Sequence, residues 1–131
     1  MTTDLDIADV LEKAADDIAT NGLAKHILEN KAGQHCAIGA IGLALGATFE
    51  EGDFSFEGEP DCALIEAAAI ALLPHILTLD HPWHWSAWDY GQRAWNGVVR
   101  WNNDPNRTAD EVVEAMRQAA KDLRNEATPW T

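Results

Sequence analysis

The chain has 131 residues, 47% of them hydrophobic, and 22 acidic against 9 basic side chains, for a net charge of −13. That is enough apolar matter for one domain with its own core, and too much for a disordered chain. The charge excludes a general phosphate-backbone binder, which needs clustered Lys and Arg, and it excludes docking on an anionic membrane surface.

Taken in order, residues 4–20 place Ile7, Val10, Leu11, Ala14, Ala15 and Ile18 at helical intervals, which predicts an amphipathic helix. Thr3 with Asp6 resembles a capping pair, and Asp4, Asp6 and Asp9 suit the positive end of the helix dipole. Asn21-Gly22 supplies a left-handed stop. Residues 23–35 admit a short helix or a strand. Asn30 to Gly33 reads as a turn, so residues 23–28 can pair with 33–36 in a small hairpin. Residues 36–46 carry an Ile38, Ile41, Leu45 stripe interrupted by Gly39 and Gly42, with Gly46 as the stop. Glycine inside a helix costs about 1 kcal/mol against alanine, so close helix-to-helix approach is expected to offset it.

No Lys or Arg occurs between Lys31 and Arg93, and residues 47–61 hold six acids without a base. A solvated loop is the simple reading of that segment. The sharper one is a docking loop, in which Phe49, Phe54 and Phe56 anchor on a basic, grooved partner steered by Glu50, Glu51, Asp53, Glu57 and Glu59.

Residues 61–73 are apolar almost all round and predict a central core helix, capped by Asp61 and ended or kinked by Pro74. Asp80-His81-Pro82 marks a turn or a helix start. Trp85, Trp88, Gln92, Trp95 and Val99 then share a face, which predicts a helix over 85–100. Trp88, Trp95 and Trp101 read as core, and Trp83 and Trp85 as an exposed aromatic pair beside the base-free stretch. A turn-rich linker runs from Trp101 to Arg107, where Arg107 can pair with Asp104 or with an acid of the next helix. Thr108-Ala-Asp-Glu111 is a capping box. The helix it opens runs to about Arg124 on Val112, Val113, Met116, Ala119, Ala120 and Leu123, and residues 126–131 are expected to fray.

Three stretches taken together carry a resemblance: the first helix, Cys36-Ala-Ile-Gly-Ala40, and Trp101-Asn-Asn-Asp-Pro-Asn-Arg-Thr-Ala-Asp-Glu-Val112. They resemble a small domain family of unknown function that is common in high-GC Gram-positive bacteria and their phages. Its members carry a Cys-Ala-Leu-Gly-Ala-type helix and a Trp-Asn-Asp…Arg-Thr-x-x-Glu-Val element; this chain departs by an extra Asn before Asp104. The resemblance implies a mostly helical cytoplasmic protein and no particular activity.

Cys36 is the candidate nucleophile, because a helix N-terminus lowers a thiol pKa. A catalytic cysteine also needs a nearby His and an orienting Asn or Asp, which His75, His81 or His84 with Asn102 or Asp104 can supply. The simpler reading is a small buried thiol packed among glycines and alanines. His75, Asp80, His81 and His84 are metal-ligand types without a second well-spaced pair, so no metal or cofactor is assigned. Asn102, Asp104 and Arg107 read as turn-stabilising groups before they read as a binding site. The acidity also permits a DNA mimic, for which six clustered acids are few.

The N-terminus is acidic and lacks the features of a signal peptide, and the two cysteines form no CxxC pair, so a reduced, cytoplasmic protein is expected. The sequence therefore predicts one all-α domain over residues 1–125. Four or five helices pack around a central apolar helix, with a small hairpin near 23–36 as an option. The expected function is a non-enzymatic, phage-borne interaction protein that binds a host or phage protein through an acidic-aromatic surface.

Overall fold

In the computed structural model, residues 4–55, 57, 58, 60–76 and 90–127 are described. Five helices and one two-stranded antiparallel sheet follow in order: α1 (Asp4–Asn21), α2 (Ala37–Ala44), β1 (Phe49–Glu50), β2 (Asp53–Phe54), α3 (Cys62–Ile76), α4 (Tyr90–Asn102) and α5 (Ala109–Ala127). The predicted helical domain is present.

The α1 stripe of Ile7, Leu11, Ala14, Ala15 and Ile18 is buried, as are Val112, Met116, Ala119 and Ala120 of α5. These two helices form the most extensive helix pair. Arg117 bonds Glu12 at 3.0 Å and Asp16 at 3.2 Å, while Arg124 bonds Asp9 and Glu12, both at 3.1 Å. Rising numbers on α5 meet falling numbers on α1, so the pair is antiparallel. Partly exposed ion pairs add little energy each, but as a ladder they set the register of the two helices. α1 stops at Gly22, whose φ of +101° is the left-handed conformation that glycine adopts without a Cβ penalty.

The expected core helix α3 packs on each of the other four helices through Ile65, Ala68, Ala69, Leu72 and Leu73. It also keeps an outer face, on which Ile70 is 39% exposed. Pro74 does not end it; the helix runs on to Ile76. The helical bond that Pro74 cannot make is the one to the carbonyl of Ile70, on that outer face. α4 buries Ala94 and Val98, and Trp95 and Trp101 pack against the core from partly buried positions.

The small sheet lies elsewhere than expected. Over 23–36 there are only isolated bridges: Leu23 pairs with His35 in parallel and Glu29 pairs with His35 antiparallel. His26, at φ +68°, turns the chain between them, and Asn30 Oδ1 takes the amides of Ala32 and Gln34, both at 3.0 Å. A continuous strand cannot pass through such a turn. The regular hairpin is instead in the acidic segment, where Phe49 pairs with Phe54 and Glu50 with Asp53. Its two turn residues, Glu51 (φ +53°) and Gly52 (φ +87°), are both left-handed, as the tight turn of a twisted hairpin requires.

The glycines of α2 are explained by close approach, but not of another helix. A Cβ on Gly39 would lie 3.0 Å from the Leu28 carbonyl carbon and closer still to its oxygen. A Cβ on Gly42 would lie 2.6 Å from Cζ of Phe54. A loop carbonyl and a hairpin ring occupy the places expected for a helix. Thr3, residues 85–89 of the predicted helix 85–100, and Trp83, Trp85 and Trp88 lie outside the described residues. α5 continues through Ala127, two residues into the stretch expected to fray.

Candidate functional site

The Cys36 and Trp101 motifs, 65 residues apart, meet in one junction. Asn102 is the last residue of α4 and is 1% exposed. Its Oδ1 accepts from the amide of Ala37 at 2.9 Å, and its Nδ2 donates to the carbonyl of Ala24 at 3.1 Å. The Ala37 amide belongs to the first turn of α2, where a helix has no internal acceptor to offer. Asn103 Oδ1 accepts from His26 N at 2.8 Å, and Lys25 Nζ donates to the Asp104 carbonyl at 2.5 Å. The turn after α4 thus clamps the chain that leads into α2.

Beyond the clamp the turn is self-contained. Arg107 lies 4.4 Å above the Trp101 ring, donates to the Trp101 carbonyl at 3.1 Å, and bonds Glu111 at 3.2 Å. The partner is therefore the acid of the next helix, one of the two alternatives the sequence allows. The capping box is formed: Thr108 N donates to Glu111 Oε1 at 2.9 Å, and Glu111 N donates to Thr108 Oγ1 at 3.2 Å. The Thr108 amide is the main cause that holds the Glu111 carboxyl below the usual carboxylate range. A carboxylate lowered on folding stabilises the fold above its unfolded titration range, and that gain disappears as pH falls through the lowered value. T108A should cost about 1 kcal/mol, and the stability gap between wild type and E111Q should narrow as pH falls below the ordinary glutamate range. Urea melts across pH 3 to 7 check both.

Cys36 sits where expected, as the N-cap of α2, with Sγ accepting from Gly39 N at 3.4 Å. The expected activation does not follow. Burial, at 7% exposure, pushes the thiol pKa up, and the hydrogen bond from Gly39 does not outweigh it. Of the proposed partners, Asn102 lies beside Cys36, His75 and Asp104 are engaged elsewhere, and His81 and His84 lie outside the described residues. His75 bonds Asp122 at 2.7 Å and lines a cleft with Trp101 and Arg107. The Asp104 carboxylate accepts from Asn106 N at 2.9 Å, and Asn102 is committed to backbone. Cys36 instead lines a cavity of about 260 Å³ with His26, Leu28, Ile38, Val99 and Asn102. Cys62 is exposed and serves as an internal control. The exposed Cys62 should alkylate readily at pH 7.5, and Cys36 at least about 100-fold more slowly than Cys62 until the chain unfolds. Mass spectrometry of timed iodoacetamide reactions resolves the two.

His75 is the one described member of the histidine set; Asp80, His81 and His84 lie outside the described residues. Among the described residues no three His, Cys, Asp or Glu side chains gather as a metal site.

The acidic segment is a built surface. Phe49 and Phe54, whose ring centroids are 5.4 Å apart, turn inward: Phe54 onto Gly42 and Phe49 onto His35, at 4.7 Å between rings. Both rings pack on the chain itself and keep part of their surface exposed. Because side chains alternate along a strand, Glu50 and Asp53 point outward, and Glu51 and Glu57 are exposed with them. Phe56 and Glu59 lie outside the described residues. The hairpin turn rests on the neighbouring loop through Leu28 N to Gly52 O at 3.2 Å and through the Ile27 side chain against Gly52. Ile27 remains 40% exposed, and with Glu29, Lys31 and Glu51 it lines an open cleft of about 520 Å³.

Sequence reasoning missed His35, which is 4% exposed beneath this hairpin. Its Nδ1 lies 2.9 Å from Asp17 Oδ2 and its Nε2 3.0 Å from Glu29 Oε2. The signal available was a histidine immediately before an apolar helix start, which does not name its partners.

Fold and site together define a small, mostly helical domain with a clamped helix entry and an acidic surface hairpin. The chain belongs to a family of unknown function, DUF6197, whose model matches residues 2–122. No curated protein and no solved structure matches it. Among the described residues no helix is long and apolar enough to cross a membrane.

Proposed function

We propose that this protein is a non-catalytic docking protein that engages a basic protein partner through the outer face of the β1–β2 hairpin and Ile27. One observation carries the reading. Glu50, Glu51, Asp53 and Glu57 are exposed on a hairpin whose phenylalanines are turned into the protein, so the carboxylates stand on a seated ridge. Among the described residues none of these four has an ion-pair partner within the chain. Negative charge steers a cationic partner during approach, and the exposed Ile27 beside the ridge supplies an apolar contact. Among the described residues the apolar contact beside the carboxylates is Ile27; Phe56, Trp83 and Trp85 lie outside them. The motif resemblance supports a cytoplasmic, phage-borne setting with a bacterial or phage protein as partner.

The test is a charge-neutralised hairpin, E50Q/E51Q/D53N/E57Q, compared with wild type against a partner captured from host lysate. Association should slow about tenfold or more at low ionic strength and lose its dependence on salt. An unchanged association rate and salt slope would overturn the proposal.

A further inference from the structure

Two carboxylates face the two ring nitrogens of one buried histidine, and the proton count there decides the geometry. Asp17, on α1, approaches Nδ1 at 2.9 Å; Glu29, on the loop before α2, approaches Nε2 at 3.0 Å. Ionised carboxylates only accept hydrogen bonds, and a neutral imidazole has a single N–H to give. With both carboxylates ionised, the two contacts are satisfied together only by a ring that carries both protons.

We infer that His35 is a proton-operated clasp beneath the acidic hairpin, closed on Glu29 when the ring is doubly protonated and open when it is neutral. The two sides of the clasp are unequal. Asp17 is 10% exposed, and its other oxygen is tied to Asn21 Nδ2 at 2.9 Å. Glu29 is 34% exposed and borders the open cleft. When one ring proton leaves, Nδ1 keeps its proton toward Asp17, and Nε2 becomes a lone pair facing a carboxylate. That contact is repulsive, and Glu29 is the partner with water beside it.

The groups facing His35 are Asp17 from α1, Glu29 from its own loop and the uncharged Phe49 ring from β1. Glu29 shares its cleft with Glu51 and Lys31. While the clasp is closed, an imidazolium neutralises Glu29. Once it is open, the carboxylate joins Glu51 and the cleft gains one negative charge. The clasp thus links proton concentration to the charge of the docking face. That consequence rests on the function proposed above, whereas the clasp itself rests on the ring geometry alone.

The test is ring ¹⁵N NMR of the full chain with ¹³C-carboxyl detection of Glu29, across the range near pH 5 to 8 where a histidine changes charge. Both ring nitrogens should read as protonated at the acid end. At the alkaline end only Nδ1 should, and the Glu29 carboxyl signal should move with the same midpoint. A ring with one proton throughout, a neutral form protonated at Nε2, or a Glu29 signal indifferent to the ring would each overturn the clasp. Failure of the docking reading is separate: it shows as unchanged partner association in the neutralised hairpin, whatever the ring does.

Discussion

Asn102→Ala should lower the stability of this domain by about 2 to 5 kcal/mol, because it strands two buried backbone groups at once. The Ala37 amide and the Ala24 carbonyl both lose their partner, and neither has another within reach in the contacts observed. Against a total that is roughly 5 to 15 kcal/mol for a domain, this is a large fraction. Asn103→Ala is the contrast. Its Oδ1 serves only the exposed amide of His26 and the Asn102 amide group, so its loss should cost about 1 kcal/mol or less. Urea unfolding of the two variants should therefore separate neighbours in one motif. Equal, small losses would mean that the turn does not clamp α2.

Gly39→Ala should destabilise the protein, in opposition to its effect on the helix alone. Alanine in place of a mid-helix glycine gains about 1 kcal/mol from propensity. Here the new methyl meets the Leu28 carbonyl, a backbone group that cannot rotate away. That carbonyl also accepts from Cys36 N at 3.3 Å, so moving it breaks the entry to α2. Overpacking of this kind costs about 1 to 3 kcal/mol in adaptable cores, and backbone is the least adaptable neighbour. We expect a net loss of about 2 kcal/mol or more, read as a lower urea midpoint at unchanged slope. Gly42→Ala should cost less, since the ring of Phe54 that it meets can tilt. A more stable G39A would contradict the observed loop position.

These positions show what was legible in the sequence. The stripe of α1, the stop at Gly22, the helix start at Cys36 and the box at Thr108 and Glu111 all depend on neighbours within a turn or two, and each stands as read. The glycines of α2 announced a close approach, but of a helix, where a loop carbonyl and a ring stand instead. Asn102 was readable only as a turn residue, because its two partners lie 65 and 78 positions away. His35 was opaque for the same reason, with one of its carboxylates 18 residues back on α1. The packing of Phe49 on His35 and of Phe54 on Gly42 was not legible, because an acidic run suggests solvent. A two-residue turn between the phenylalanines makes them cross-strand partners, and partners on one face share one side of the hairpin.

The junction that joins the end of α4 to the start of α2 holds the two halves of the fold together, and one amide reports on it directly. The first amides of a helix normally exchange with solvent quickly, since they have no helical acceptor. Native-state hydrogen exchange at Ala37 should instead show strong protection, opening only with global unfolding in wild type and becoming fast in N102A. Rapid exchange at Ala37 in the wild-type protein would contradict the junction and the fold built on it.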